Sequence, residues 1–202
     1  MKLYYSPGAC SMAVHIVLNE GGFSYDTEQV DLASKKTAGG ADFTSINPNG
    51  YVPALELDNG EVLTEAAVIL GYLADQVPER KLAPAAGSMA RYRLQEKLNF
   101  ITTELHKGFG SLFNPAMPED WREQVKKGLG KRLDYMAGQL GNGKYLLGEQ
   151  FSIADAYLFT ILGWSRLVGV DLTPWSVLAD YTARVAERPA VQAAMKAEGL
   201  LG

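Results

Sequence analysis

The sequence predicts an α/β domain followed by an all-α domain. Residues 3–17 have the pattern of a short strand, a Pro-Gly turn and a helix, and a second strand is predicted at residues 23–32. A strand, a helix and a strand form a βαβ unit, in which the two strands are parallel. In the second half of the chain the apolar residues recur at helical spacing. We therefore place the first domain at residues 1–80, a linker at about residues 76–86 and the helical domain at residues 87–202.

The composition excludes several classes of protein. The chain has 202 residues, of which 47% are hydrophobic, and this is ample for a core in one large domain or two small ones. The net charge of −4 leaves no basic surplus to bind nucleic acid. No apolar run approaches the roughly 20 residues of a membrane span, and we expect no signal peptide. A single cysteine forms no internal disulfide, and one cysteine with two histidines excludes a Cys/His zinc site, so we expect a cytoplasmic protein without a metal.

The single cysteine, Cys10, is at the predicted start of the first helix. Pro7-Gly8 ends the strand before it, and Gly21-Gly22 ends the helix. The first turn of a helix carries unpaired backbone N–H groups at the positive end of the helix dipole, and this setting stabilises a thiolate and can hold an anion. A lone cysteine is also a common core residue, so the position alone supports a functional role and a packing role equally.

Two lysines are notable in the first domain. Lys35 and Lys36 lie in a predicted loop at residues 33–46, which ends in a helical turn, and no other basic residue lies between residues 3 and 79. Such residues are typical solvated surface charges. An anionic ligand bound at the start of the first helix would nevertheless need one of them.

A β-hairpin follows this loop. Strands are predicted at residues 51–57 and 61–63, joined by an Asp-Asn-Gly turn. Pro53 is unusual within a strand because proline cannot donate a ladder hydrogen bond. It is either an ordinary edge-strand proline or part of a cis Val52-Pro53 bond that turns the Val52 backbone toward a ligand.

A helix is predicted at residues 64–75, with Thr64 as its N-cap. Glu65 and Ala66 lie in the first turn of this helix, where backbone N–H groups lack partners within the helix. The chain thus offers free N–H groups at the starts of two helices.

The helical domain is predicted to begin with a long helix that carries two stripes of residues. Its apolar residues recur at steps of three or four, at Leu94, Leu98, Ile101, Leu105, Phe109 and Leu112. Asn99, Thr103 and His106 form a polar stripe on one face, which is either a solvated face or a ligand site.

Further helices are predicted at residues 121–140, from Ser152 onward, and at residues 175–196. Ser152 and Asp155 are spaced as a capping box, so we interpret them as structural. Pro189 should kink or restart the last helix.

Four motifs, in their order along the chain, resemble the glutathione transferase family. They are SPGACS around Cys10, NPNGY followed by Val52-Pro53, LTEAAVILGYLAD around Glu65, and FSIADAYLF in the helical half. Cys10 together with His106 is similar to the bacterial beta class of the family. The resemblance implies a thioredoxin-like domain of βαβ-ββα topology followed by a C-terminal helical bundle domain.

The resemblance further implies a cytosolic homodimer for detoxification that binds the tripeptide glutathione. The backbone of glutathione would meet Val52 beside a cis Pro53. The γ-glutamyl carboxylate would meet Glu65 and Ala66, and Lys35 would face the glycyl carboxylate. The other glutathione-binding residues implied are Cys10, Asn99, Thr103, His106 and Lys107, of which Asn99 and Thr103 would come from the neighbouring subunit. The implied hydrophobic pocket comprises Tyr4, Tyr5, Phe109, Phe113 and Trp164.

The leading hypothesis is conjugation of the glutathione thiol to hydrophobic electrophiles, with Cys10, Ser11 and His106 as catalytic residues. Cys10 could also form a mixed disulfide with glutathione. Hydroxyl groups near the thiol are alternatives for activating it, on Tyr4, Tyr5, Ser6 and Ser11. One rival hypothesis is a glutathione-dependent reductase, peroxidase or dehalogenase with Cys10 as nucleophile, and another is a transferase-like binding protein without turnover.

Overall fold

The computed structural model describes residues 1–201, which form two compact units. The first unit consists of Met1–Ala83 together with the residues from Glu187 onward, and the second unit is Pro84–Ala186. The first unit holds the β-sheet and the second is helical, in agreement with the predicted fold class.

The last helix belongs to the first unit. This helix, α9 (Pro189–Ala197), packs against α1 (Ser11–Gly21). The sequence-based boundaries place it in the helical domain instead, because its helical pattern carries no signal of the surface on which it packs. The helix before it, α8 (Ser176–Ala186), ends ahead of Pro189, as the proline predicts.

The first unit contains a five-stranded sheet. Its strands are β1 (Lys2–Tyr5), β2 (Asp26–Asp31), β3 (Lys36–Thr37), β4 (Ala54–Glu56) and β5 (Val62–Thr64). Their order in the sheet is β3-β2-β1-β4-β5. The β1–β2 pair is parallel and the other pairs are antiparallel, which confirms the βαβ unit and the hairpin. Strand β3 was not predicted, because two residues are too few to leave a pattern.

The two sheet-packed helices differ in how well their starts were predicted. Helix α1 begins directly after Cys10, and the left-handed Gly22 ends it, both as predicted. The prediction of Thr64 as an N-cap is wrong. Thr64 pairs with Ala54 in the sheet, and Glu65 is the N-cap of α2 (Ala66–Gln76).

Apolar side chains cover both faces of the sheet. Helix α1 is buried along nearly its whole length, and α2 contributes Ile69, Leu70 and Leu73. A second cluster comprises Tyr4, Val30, Phe43, Val52 and Ala54. Burial of apolar surface stabilises the folded state by roughly 25 cal/mol for each Å². These two apolar layers therefore hold the helices against the sheet, and with them the positions at which the helices start.

The second unit is built around the predicted long helix. Its helices are α3 (Met89–Phe100), a π-helical segment (Ile101–His106), α4 (Lys107–Ser111), α5 (Glu119–Leu140), α6 (Ile153–Gly163), α7 (Ser165–Val168) and α8. All six apolar residues of the predicted stripe are buried. Among the helices of residues 1–201, none has the length and hydrophobicity needed to cross a bilayer.

A buried carboxylate organises the start of α6. Asp155 accepts hydrogen bonds from the backbone N–H groups of Leu146 and Ser152, at 2.8 Å and 2.9 Å, and from the Ser152 hydroxyl at 2.7 Å. The Tyr181 hydroxyl of α8 donates to it at 3.1 Å. Burial raises the pKa of Asp155 in spite of these donors. The predicted capping box is therefore confirmed, and it also ties α6 to α8.

We expect Asp155→Ala to destabilise the protein by about 3 kcal/mol, because two buried backbone N–H groups would lose their acceptor. Urea denaturation would measure this loss. Asp171→Ala is the matched control, because exposed Asp171 accepts a hydrogen bond from the Thr173 N–H in a surface turn. Equal losses for the two variants would contradict a special role of the α6 network.

Candidate active site

The Cys10 thiol lies where the start of α1 meets the segment before β4. Cys10 is the N-cap residue of α1, and its side chain is 9% exposed. Its Sγ donates a hydrogen bond to the carbonyl oxygen of Val52 at 3.2 Å. The thiol therefore lies at a helix N-terminus and contacts the backbone that the family resemblance implies would meet glutathione.

The nearby hydroxyl groups have partners of their own. The Ser11 hydroxyl is fully buried, accepts the Ser6 N–H at 3.2 Å and donates to the Ser6 carbonyl at 3.3 Å. The Tyr4 hydroxyl donates to Glu56 at 2.7 Å. Burial, followed by this bond, raises the pKa of Tyr4, and burial also raises the pKa of Tyr5. These two phenols therefore stay protonated at neutral pH, and Ser11 closes the turn before Cys10.

The backbone at Val52 and at Glu65 comes together at one end of the hairpin. The Val52-Pro53 bond is cis, as the second of the two interpretations of Pro53 requires. Ala54 on β4 is paired with Thr64 on β5. Because this pair is antiparallel, the residue before Ala54 and the residue after Thr64 lie side by side.

Glu65 holds an unusual backbone conformation. Its φ of 67° lies in the left-handed region, which is uncommon for a residue with a side chain. From this position its carbonyl accepts the Val68 and Ile69 N–H groups and begins α2. The N–H groups of Ala66 and Ala67, ahead of Val68, have no partner within the helix. Such strained residues cluster at ligand sites, where the surrounding structure holds them.

Lys35 is held against the same region. Its Nζ donates to the Gly50 carbonyl at 2.9 Å and lies 5.5 Å from the centre of the Tyr51 ring. Lys36 next to it is an exposed residue of β3. The first unit thus contains a thiol, a positioned ammonium group and two helix N-termini, which suit a thiol-bearing ligand with more than one carboxylate.

In the helical unit, His106 has a strongly lowered pKa. Burial, with a smaller contribution from the charge of Lys107, lowers the pKa of His106 to about 4. The imidazole is therefore neutral at pH 7. Its Nδ1 is hydrogen-bonded to the Tyr157 hydroxyl at 2.7 Å, and its ring packs edge-on against Trp164 at 5.0 Å. This bond commits one ring nitrogen and fixes the ring plane.

The predicted polar stripe does not form one face. Asn99 and Thr103 are exposed and line a groove of about 700 Å³ with residues of α5, whereas His106 contacts α6. The expectation of a single face assumed α-helical geometry. The π-helical segment Ile101–His106 has a wider turn, which rotates His106 away from the other two residues.

The residues predicted to line the hydrophobic pocket belong to both units. Phe113 is 47% exposed and packs edge-on against Trp164 at 5.5 Å. Phe109 is fully buried in the helical unit, and Lys107 is exposed. Tyr5 belongs to the first unit, where its ring packs against His15 at 5.9 Å.

Two partners of site residues were missed by the sequence analysis. One is Tyr157 of α6, because nothing in the sequence linked its hydroxyl to His106. Glu198 hydrogen-bonds the turn before Cys10, at the Gly8 N–H, from a position 190 residues along the chain. Contacts at such separations leave no local pattern.

The lowered pKa of His106 predicts a pH-dependent stability. The unfolded histidine has a pKa of 6.5, so below that pH the unfolded chain takes up a proton before the folded chain does. We expect wild type to lose about 2 kcal/mol of stability from this residue between about pH 7 and about pH 5. His106→Phe should show a flatter dependence of unfolding free energy on pH. Parallel pH profiles for the two proteins would contradict this.

Comparison with known proteins places the chain in a family. The model of the glutathione S-transferase N-terminal domain matches residues 8–76, and that of the C-terminal domain matches residues 119–197. Glutathione S-transferase GstA of Escherichia coli O157:H7 is 48% identical over 200 residues, which cover 99% of this chain and 100% of that protein.

Solved structures are similar over the same length. A bacterial beta class glutathione S-transferase of Sphingomonas chungbukensis is 46% identical with a TM-score of 0.96, and the match covers 100% of each chain. A sphingomonad glutathione S-transferase complexed with glutathione is 47% identical with a TM-score of 0.95, covering 99% of this chain and 100% of that chain. This chain therefore belongs to the glutathione S-transferase family, within which it resembles the bacterial beta class.

Proposed function

We propose that this transferase conjugates the thiol of glutathione to hydrophobic electrophiles. The observation that carries the proposal is the contact between the Cys10 thiol and the Val52 carbonyl, beside Lys35 and the start of α2. A glutathione molecule bound at this contact would have its sulfur near the Cys10 thiol, and groups that suit its two carboxylates lie in the same unit. The sphingomonad relative bound to glutathione supports the choice of ligand.

Each end of the tripeptide has a group of matching chemistry in the first unit. The N–H groups after Glu65 would hold the γ-glutamyl carboxylate, because a helix N-terminus favours an anion. Val52 would pair with the backbone of the cysteinyl residue. Lys35 would meet the glycyl carboxylate, for which it would have to turn from Gly50 by rotation of its flexible stem. Ala66 offers its N–H but no side-chain hydroxyl.

The start of α1 would activate the sulfur. Its positive dipole end would stabilise a glutathione thiolate, with hydrogen bonds at Cys10 and Ser11 assisting. The thiolate then attacks the electrophilic carbon, so that a carbon–sulfur bond forms while the bond to the leaving group breaks. Binding both reactants side by side supplies much of the rate enhancement.

The family resemblance also gives roles to residues of the helical unit. His106, neutral at pH 7 and held by Tyr157, would donate or accept a hydrogen bond, and Lys107 would add a positive charge. Phe113 and Trp164 would bind the hydrophobic substrate. In a cytosolic homodimer, the separate face of Asn99 and Thr103 allows each subunit to contribute these residues to the site of its neighbour.

A second activity is favoured by the position of Cys10 itself. A thiol at a helix N-terminus, next to bound glutathione, could form a mixed disulfide with it and act as a reductase, peroxidase or dehalogenase nucleophile. A non-catalytic binding role remains the third proposal, and failure to bind immobilised glutathione would favour it.

We expect Cys10→Ala to retain conjugation of a standard aryl halide electrophile within the same order of magnitude, because the reacting thiol belongs to glutathione. The same variant should lose any mixed disulfide, which intact-mass measurement after treatment with oxidised glutathione would detect. Cys10→Ser is the matched control for the size of the side chain. Loss of conjugation together with loss of the disulfide would instead assign Cys10 as the covalent nucleophile.

We expect Lys35→Met to raise KM for glutathione about tenfold, because a charge-assisted hydrogen bond to a carboxylate would be lost. The value of kcat should change little, since this interaction exists equally in the ground state and the transition state. Lys36→Met, which removes a neighbouring exposed charge, should leave both constants unchanged. Steady-state kinetics with varied glutathione would test this, and equal effects of the two variants would refute a specific role of Lys35.

A further inference from the structure

The imidazole of His106 is held by two aromatic side chains from one side of α6. Trp164, the C-cap of this helix, follows Tyr157 by two helical turns, so the two residues lie on the same side. The Tyr157 ring is edge-on to the imidazole at 5.9 Å and 86°, and the Trp164 ring is edge-on at 5.0 Å and 76°. These contacts fix the orientation of the imidazole ring.

The position of the imidazole proton is a separate question. His106 is neutral at pH 7, because burial and, to a smaller extent, the charge of Lys107 lower its pKa to about 4. A neutral imidazole carries one proton, so one ring nitrogen is a donor and the other an acceptor. The hydrogen bond made by one nitrogen determines which tautomer is present. The tautomer of His106 therefore follows from the direction of its bond with Tyr157.

The chemistry of the pair favours Tyr157 as the donor. The Tyr157 oxygen lies 2.7 Å from Nδ1, which is at the short end of the range for an N–H donor and common for an O–H donor. A phenol is in general a stronger acid than the N–H group of a neutral imidazole, and an unprotonated imidazole nitrogen is a better acceptor than a phenol oxygen. The Tyr157 hydroxyl therefore donates to Nδ1, and the imidazole proton lies on Nε2.

Both members of the pair are placed by irregular or costly features of the fold. His106 ends the π-helical segment, and such wide turns are rare and frequent at functional sites. Tyr157 is 1% exposed and lies in the first turns of α6, just after the buried carboxylate of Asp155. An apolar side chain at position 157 would avoid the cost of burying a hydroxyl group. Packing alone therefore does not account for Tyr157.

The second ring nitrogen, Nε2, is the one available to a ligand. Within residues 1–201 it has no hydrogen-bond partner, and it is not among the fully buried polar atoms that lack one. It is therefore accessible to solvent or to a bound molecule. With the proton on Nε2, His106 offers a donor there, whereas with the proton on Nδ1 it would offer a lone pair. A thiolate is an acceptor, so only the first tautomer stabilises it.

We propose that Tyr157 is a positioning residue that keeps the proton of His106 on Nε2, so that the imidazole donates a hydrogen bond to the glutathione thiolate and does not act as a base. This inference rests on the proposed function, in which His106 either donates or accepts, and it selects donation. The proton of the glutathione thiol goes to solvent, and His106 keeps its own proton throughout.

Nitrogen-15 NMR of the imidazoles reads the tautomer directly, in the protein without glutathione. The chain has two histidines, and the signals missing from the spectrum of His106→Phe identify those of His106. We expect wild type at pH 7 to show Nδ1 unprotonated and Nε2 protonated. In Tyr157→Phe the two shifts should approach each other, because both tautomers become populated. Protonation at Nδ1 in wild type would overturn the proposal, even if Tyr157→Phe does not fold.

Steady-state kinetics test the effect on the thiolate. We expect Tyr157→Phe to move the pH midpoint of kcat for conjugation of an aryl halide upward, because the thiolate in the complex loses part of its stabilisation. Below that midpoint kcat should fall about fivefold, the size expected for one hydrogen bond. The KM for glutathione should change little, since the carboxylates of the tripeptide keep their partners.

Tyr181→Phe is the matched control, because it removes another buried hydroxyl, which donates to Asp155 at 3.1 Å. It should lower the thermal midpoint of unfolding and leave the tautomer and the pH midpoint of kcat unchanged. The proposal is overturned if Tyr157→Phe keeps the wild-type tautomer, if its tautomer changes without a shift of the pH midpoint, or if Tyr181→Phe shifts that midpoint equally. If wild type fails to conjugate glutathione, the proposed function fails, whereas the NMR spectra still decide the role of Tyr157 in setting the tautomer.

Discussion

The hydrogen bond from Cys10 to the Val52 carbonyl is the contact on which the candidate site depends. It joins the N-terminus of α1, which leaves one strand, to the segment that enters another strand. The sheet brings these segments together because β1 is paired with β4. The chemistry of the site thus follows from strand order, since that order determines which helix start lies beside which backbone segment.

The sequence predicted best those features that have a local code. The βαβ unit, the start of α1, the hairpin and the α6 capping box all depend on residues within a few positions of one another, and each is confirmed. Thr64 shows how such a code can mislead. It has the right chemistry for an N-cap, but pairing with Ala54 extends β5 through it and leaves Glu65 to begin α2 in a strained conformation.

The remaining features depend on long-range packing or on irregular geometry. His106 was found as a polar residue of a long helix, yet its bond to Tyr157 joins positions 51 residues apart. The π-helical segment broke the assumed periodicity, so Asn99 and Thr103 could not be separated from His106 beforehand. The resemblance to the glutathione transferase family rests on the order of four motifs. It supplied what periodicity could not, namely the identity of the expected ligand and the residues expected to bind it.

The position of α9 in the sequence determines when the first unit receives this helix during translation. The sheet unit takes its last helix from beyond residue 186, so the ribosome completes the whole of Pro84–Ala186 before that helix exists. Until then, the surface of α1 on which α9 later packs is exposed to solvent in the nascent first unit. The helical unit can fold during this interval from contiguous residues. Glu198 then arrives after the rest of its surroundings, so the turn ahead of Cys10 acquires its full set of contacts only after the helical unit has been synthesised.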